Sequence, residues 1–372
     1  MNLITANSGT HYWFRLILCV GMLLFGCASV NAQSLESADT TTTDGDTVST
    51  PQFNDVHFHL LNYIQRGITA SQYMEMVGDR VGRVAMFGIP LQQKWDSFVS
   101  GDRAPNYYLL SDAALYYYSF VDAVIAREYL SLNDVDRQRV DPMITGFNPT
   151  DMYAADHIRR VLRTFPGVFT GIGEFSVHKE FVSSKITGHT ASLHNPALHG
   201  ILETVAEIGL AAILHCDIDT VRSGTPPAHY KDLLDVLAEH PRASVIWAHT
   251  GLGRFIKPSS DHIELLDSML SDSRYDHVML DISWDEVAQY VVQDADSVAA
   301  WAELIEKYPT RFLFGTDSVA PSDWEAYAGT HVVYNPLWER LDVDTRAQVE
   351  RLNYERIFDA ARERVRAWEQ LQ

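Results

Sequence analysis

Cysteine is nearly absent from this chain: three residues in all, Cys19, Cys27 and Cys216. The first two fall in an N-terminal apolar stretch, so the body keeps only Cys216 and has no internal disulfide framework. Positive charge is also short. Lysine and arginine number 29 against 49 acidic residues, a net charge of -20. That balance excludes nucleic acid and anionic membrane surfaces as general partners, since both present negative charge. Long hydrophobic runs are missing too. "LILCVGMLLFG", Leu16 to Gly26, is too short for a permanent span but has the size of a signal-peptide core behind Arg15.

Residues 1–32 therefore read as a signal peptide, with "VNAQ" offering cleavage before Gln33. "LFGC" offers a second exit, a lipoprotein box ending at Cys27, although Phe25 is bulky for it. The expected location is periplasmic or secreted, with a lipid-anchored outer-membrane protein as the alternative and no membrane insertion of the mature domain. Residues 33–52, acidic and Thr-rich, cannot bury a core and read as a disordered linker. Residues 53–372 form the folded domain.

That domain alternates short apolar, β-rich runs with segments of helical period. The strand candidates are "FNDVHFHL", "RVAMFGIP", "PMITGFNP", "VFTGIGEF", "AAILHCDI", "ASVIWAHTG", "HVMLDISW" and "RFLFGTDS". Amphipathic stretches such as "ALHGILETVAEIG" and "YKDLLDVLAEH" separate them. Strands alternating with helices read as parallel βα units, and their number favours an α/β fold, a (β/α)8 TIM barrel. An open doubly wound sheet is the alternative, but it wants a Gly-rich turn after its first strand, and "HFHLLNYIQ" is unlike one.

Polar residues stand near the carboxyl ends of these strands. The first carries His57 and His59, two residues apart and so on one face. The fourth ends in Glu174, the fifth in His215, the sixth in His249 and the eighth in Asp317. Taken singly, each has a structural reading: a hydrogen-bonded histidine, a salt-bridge partner for Glu174, a helix cap for Asp317. Together, at the one mouth where such barrels place their active sites, they make an N/O ligand set suited to Zn2+, Mn2+ or Fe2+. Asp281 and Ser283 on the seventh strand, and Asp217 beyond His215, are candidates for supporting or substrate contacts. Cys216 should face away from His215, into the core.

"DVHFHL", "GIGEF", "LHCD", "WAHTG" and "FGTDS", in this order, resemble the amidohydrolase superfamily, particularly its amidohydrolase-related group of metal-dependent TIM-barrel hydrolases and decarboxylases. The resemblance runs from Phe53 to the C-terminal "NYERIFDAARERV". It implies His57, His59, His215 and Asp317 as metal ligands, with His249 as a ligand of a second metal or a catalytic base. Many members hold two ions through a carboxylated lysine on strand four. Here that position is Glu174, resembling members in which a glutamate bridges two ions, so the count of one or two stays open. The implied chemistry is hydrolysis of a lactone, ester or amide by metal-activated water, with Asp317 as general base and His249 helping to polarise the carbonyl. Relatives of this kind are commonly oligomeric.

Two other readings stand beside it. A decarboxylase of an aromatic or unsaturated carboxylic acid uses the same barrel and ligands. A non-catalytic exported binding protein is the third, and the complete ligand set argues against it. The substrate is a small molecule in each. Lys94, Arg254, Lys257 and Asp217 are candidates to contact it, together with Trp95, His178, Lys179 and Lys185, although any single loop cation is most simply a solvated charge. "NYYLLSDAALYYYSF" is aromatic at helical spacing and reads as a helix packed on the barrel, behind a long loop from Leu91 to Asp112 placed to act as a lid.

Overall fold

The computed structural model describes residues 50–92, 116–179, 191–222, 224 and 226–372. The expected signal peptide and the linker up to residue 49 lie outside them, as do Lys94, Trp95, Lys185 and most of the expected lid. Gln52 already belongs to the fold, its amide donating to Arg80 O at 2.8 Å. Among the described residues no helix is long and apolar enough to cross a membrane.

The strands in chain order are β1 (Phe53–His59), β2 (Val81–Phe87), β3 (Leu91–Gln92), β4 (Tyr116–Tyr117), β5 (Val140–Ile144), β6 (Gly171–Val177), β7 (Ala211–Cys216), β8 (Ser244–Trp247), β9 (Val278–Asp281), β10 (Phe312–Leu313) and β11 (Ser318–Val319). One parallel sheet runs β10-β9-β8-β7-β6-β5-β2-β1-β11. β10 and β11 are the two ends of the "RFLFGTDS" strand: the first pairs with β9, the second with β1. Between them Val56 N donates to Phe314 O (3.1 Å) and Asp317 N to His57 O (2.7 Å). The ring therefore closes, and the fold is the expected (β/α)8 barrel, not an open sheet. Gly315 permits the closure, because a Cβ there would lie 2.8 Å from the Cβ of His57.

Among the described residues, the helices of eight residues or more are α1 (Ala70–Val77), α2 (Val121–Ser131), α3 (Ala154–Thr164), α4 (Pro196–Ile208), α5 (Tyr230–Glu239), α6 (His262–Leu270), α7 (Ala295–Lys307), α8 (Trp324–Val333) and α9 (Asn353–Glu369). Local signals set their ends. Thr69 and Gln72 form a capping box at α1, while Asn195 and Pro196 start α4 and left-handed Gly209 (φ 83°) stops it.

Alternation along the strands divides the core. Ala211, Ile213 and His215 of β7 face into the barrel, whereas Ala212, Leu214 and Cys216 pack under the helices. Val56, Phe87, Met143, Ile213, Ile246 and Leu313 fill the interior, joined by Tyr354 and Phe358 of α9. α9 seals the end where the strands begin: Tyr354 Oη and Arg362 both donate to buried Asp141 of β5, at 2.8 and 2.6 Å.

The expected aromatic helix is corrected in its described part. Tyr116 and Tyr117 form a short antiparallel pair with Gln92 and Leu91, and Tyr118 N donates to Pro90 O at 2.6 Å, so helix begins only at Val121. Consecutive tyrosines suit the pleated surface of a strand, and a partner segment was at hand.

Asp122, buried in the first turn of α2, holds the turn after β5. Its Oδ1 accepts from Thr145 N (2.8 Å) and Gly146 N (3.0 Å). Thr145 Oγ1 in turn donates to Glu174 O at 2.8 Å. Burial pushes the Asp122 carboxyl up to about 7, against those hydrogen bonds. Between the unfolded value of 3.8 and about 7 the folded chain keeps a proton that the unfolded chain has lost, so stability falls as pH rises. Asp122→Asn keeps Oδ1 and cannot ionise. Urea unfolding at pH 4 and pH 7 should show the wild type losing up to about 4 kcal/mol relative to that variant.

Candidate metal centre

β1 presents both of its histidines to the barrel interior. His57 Nδ1 lies 2.8 Å from Asp281 Oδ2, and His59 Nδ1 lies 2.9 Å from Gly88 O. A carbonyl only accepts, so His59 carries its proton on Nδ1 and offers the Nε2 lone pair; the Asp281 carboxylate asks the same of His57. His249 follows β8 in a left-handed turn (φ 56°, with Thr250 at 53°), and its Nδ1 rests 2.9 Å from Ser283 Oγ. Asp281 and Ser283 thus act as the supports expected of them.

Asp317, between β10 and β11, also has left-handed backbone (φ 50°). The turn sends its carboxylate back over β1, with Oδ1 3.1 Å from His59 Nε2 and 3.4 Å from His57 Nε2. Oδ2 is 3.9 Å from His249 Nε2. Glu174 lies within β6, three residues short of the strand end at which it was expected, where left-handed Gly173 (φ 125°) packs against Ile213 of β7. Its Oε2 is 3.8 Å from His59 Nε2 and 4.0 Å from His57 Nε2; its Oε1 is 2.5 Å from His215 Nδ1 and 3.8 Å from His249 Nε2.

The six fall into two groups whose ligand atoms lie within 4.8 Å of one another, His57–His59–Asp317 and Glu174–His215–His249, while His57 and His249 also group with Asp281. All six sequence candidates come together. The grouping differs in one respect from what the resemblance implies, because His215 sides with Glu174 and not with the β1 pair. Both of its ring nitrogens face carboxylates, Nδ1 that of Glu174 and Nε2 that of Asp217 at 3.0 Å.

The residues fit a divalent cation. His57 Nε2 and His249 Nε2 are buried without a hydrogen-bond partner, an arrangement that costs stability unless something binds there. Charge agrees with geometry. Burial opposes a charged His57, yet attraction to Asp317 and Asp281 lifts it to about 9 in the metal-free chain. The same carboxylate field favours a metal ion in place of that proton. Burial would raise Glu174 and Asp317, but Lys179 and His215 hold the first well below the usual range, and His57 and His59 hold the second at about 2. Burial leaves His249 neutral, its pKa lowered.

A cavity of about 400 Å³ opens beside Asp317, lined by His59, Tyr63, Lys179, Arg254 and Trp284 among others. Of the proposed substrate contacts, Arg254 lies on this wall, with Nε 2.7 Å from Glu286 Oε1. Asp217 is buried against His215. Lys257 is exposed and is not among the residues lining this cavity; it follows the turn closed by Gly253 N to Ile256 O (2.9 Å). Lys94 lies outside the described residues. Sequence reading missed Asp55, Thr316 and Tyr327, which clamp β1 to the turn holding Asp317. The available signal was a carboxylate inside an apolar strand, two residues before His57.

Several solved structures are similar to this chain. A putative 2-pyrone-4,6-dicarboxylic acid hydrolase from Pseudomonas putida is 10% identical, with a TM-score of 0.50 over 83% of this chain and 98% of its own. A protein from Agrobacterium tumefaciens is 12% identical, with a TM-score of 0.51 over 84% and 96%. A 2,6-dihydroxybenzoate decarboxylase from Rhizobium is 13% identical, with a TM-score of 0.47 over 83% and 99%. No curated protein matches the sequence significantly. The family described as amidohydrolase, whose members are metal-dependent enzymes, matches residues 55–360. With that match covering most of its length, the chain belongs to the amidohydrolase family.

Proposed function

We propose that the protein is a metal-dependent hydrolase of a small carbonyl compound, a lactone, ester or amide. The observation that carries this reading is the Asp317 carboxylate, 3.1 and 3.4 Å from the Nε2 atoms of two histidines whose Nδ1 atoms are tied elsewhere. His57, His59 and Asp317 would hold the ion, with Glu174, His215 and His249 beside it; Zn2+ is the first choice, Mn2+ and Fe2+ the others. A divalent ion there supplies an activated water and Lewis acidity toward a carbonyl.

The chain's own groups do the rest. Asp317, ionised and at the cavity edge, accepts a proton during attack and returns it to the leaving group. His249, neutral, points Nε2 into the same space and helps polarise the carbonyl. Arg254 and Lys179 on the cavity wall attract an anionic part of the substrate. A cavity of about 400 Å³ limits that substrate to small molecules.

The test is a panel of lactones, esters, amides and aromatic carboxylic acids offered to the metal-replete enzyme. Proton release without CO2 is expected from the first three classes. CO2 evolution from the acids, with no hydrolysis, would assign a decarboxylase instead. A chain that neither turns over nor takes up metal would be a binding protein. The N-terminal apolar run supports export as a periplasmic or secreted enzyme, with an anchor at Cys27 as the alternative. Fractionation separates these, because an anchored form stays with the membranes.

A further inference from the structure

Among the described residues, one group of side chains able to ligate a metal lies away from the barrel mouth: His199 of α4 with Glu239 and His240 at the end of α5. Two imidazole nitrogens face each other there, His199 Nδ1 lying 2.9 Å from His240 Nε2. Glu239 Oε2 is 3.5 Å from the same Nδ1, and the three ligand atoms all lie within 4.8 Å of one another.

The backbone explains how neighbours in sequence reach one point. Successive side chains on a helix diverge by about 100°, so Glu239 and His240 would separate on a continuing α5. The helix instead ends at Glu239. His240 leaves helical backbone (φ -119°, ψ 55°), its N–H donates to Leu237 O (3.1 Å), and its carbonyl accepts from Ala243 N (3.0 Å). That turn fixes His240, while Asn195 and Pro196 fix the start of α4 one turn before His199.

We propose that His199, His240 and Glu239 form a separate metal site on the helix layer, taking a borderline divalent ion, Zn2+ or Cu2+, that ties α4 to α5. Two imidazoles and a carboxylate suit those ions, whereas Mg2+ and Ca2+ want oxygen ligands. Ligand bonds of about 2.0–2.1 Å in tetrahedral geometry set donor atoms about 3.3 Å apart. The observed 2.9 and 3.5 Å lie on either side of that spacing, so small rotations of the side chains admit the ion. The His199 and Glu239 side chains are 37% and 64% exposed, which lets a hydrated ion enter and keeps water for the remaining position. Glu203, one turn along α4 from His199, and the net charge of -20 both favour a cation here.

The experiment dialyses the full-length protein against Zn2+ alone and counts bound ions. His199→Ala and His240→Gln should each hold one ion fewer than the wild type, whatever number the barrel mouth holds. Glu239→Gln should keep the ion at lower affinity. Because the unfolded chain lacks the site, Zn2+ should raise the urea midpoint of the wild type by more than that of His199→Ala. Should His240→Gln fail to fold, His199→Ala, at a partly exposed side chain, carries the count. Equal counts in the wild type and folded His199→Ala would overturn the proposal and leave the two rings as a hydrogen-bonded pair. Unchanged affinity in Glu239→Gln would overturn the three-ligand site.

Discussion

Asp317→Asn is expected to lower kcat per bound metal by about 10²–10⁴-fold, the range spanned by general acid–base contributions. The substitution is close to isosteric and changes one thing that matters, the ability to take a proton. Position 317 has φ 50°, a conformation most side chains resist but asparagine adopts readily, so the turn should survive. Its backbone anchor, Asp317 N to His57 O at 2.7 Å, does not involve the side chain and also persists. A ligand role for the carboxylate makes the metal content of the variant essential to the comparison. Equal content with a large loss of kcat assigns the proton-transfer role. Full activity at equal content would remove Asp317 from the reaction, and lost metal would assign it as a ligand first.

What could be read from sequence follows from what each step depends on. The barrel and the meeting of the six candidate residues depend on local pattern: apolar strands with polar residues near their carboxyl ends, which the fold brings to one mouth whatever the loops do. His57, His59, Glu174, His215, His249 and Asp317 were legible for that reason, and Asp281 and Ser283 through strand parity. Pairings that depend on loop path were not. Lys257 and Lys179 are both loop lysines, yet one ends in solvent and the other on Glu174, the first following the turn closed by Gly253 and the second following left-handed His178. Which of these candidates stand nearest one another depends on side-chain rotation, which no spacing encodes. Nor could sequence pair Asp55 with Tyr327, 272 residues away.

That pair underlies the largest expected loss of stability. Asp55→Ala should cost about 3–5 kcal/mol, taken as several buried groups left without an acceptor at about 1–3 kcal/mol each, less partial repair. Asp55 is wholly buried and accepts four hydrogen bonds. Oδ1 takes His57 N and Thr316 N, both at 2.9 Å; Oδ2 takes Thr316 Oγ1 at 2.6 Å and Tyr327 Oη at 2.7 Å. One side chain thus binds β1, the turn before Asp317 and helix α8 together. Tyr327 Oη also lies 2.8 Å from Tyr73 Oη, so the tyrosines can satisfy each other once Asp55 is gone. The two amides have no such recourse. Burial has raised the Asp55 carboxyl to about 6, so its removal returns some desolvation cost, which keeps the loss near the lower end of a simple sum. Asp55→Asn retains an acceptor for both amides and should lose about 1–2 kcal/mol. The measurement is the urea midpoint at constant m value. Activity should fall with stability in Asp55→Ala, because the clamp sets the distance between His57 and Asp317. A loss below about 1 kcal/mol would mean that water had replaced the carboxylate at both amides, and that the clamp is not what holds Asp317 over the β1 histidines.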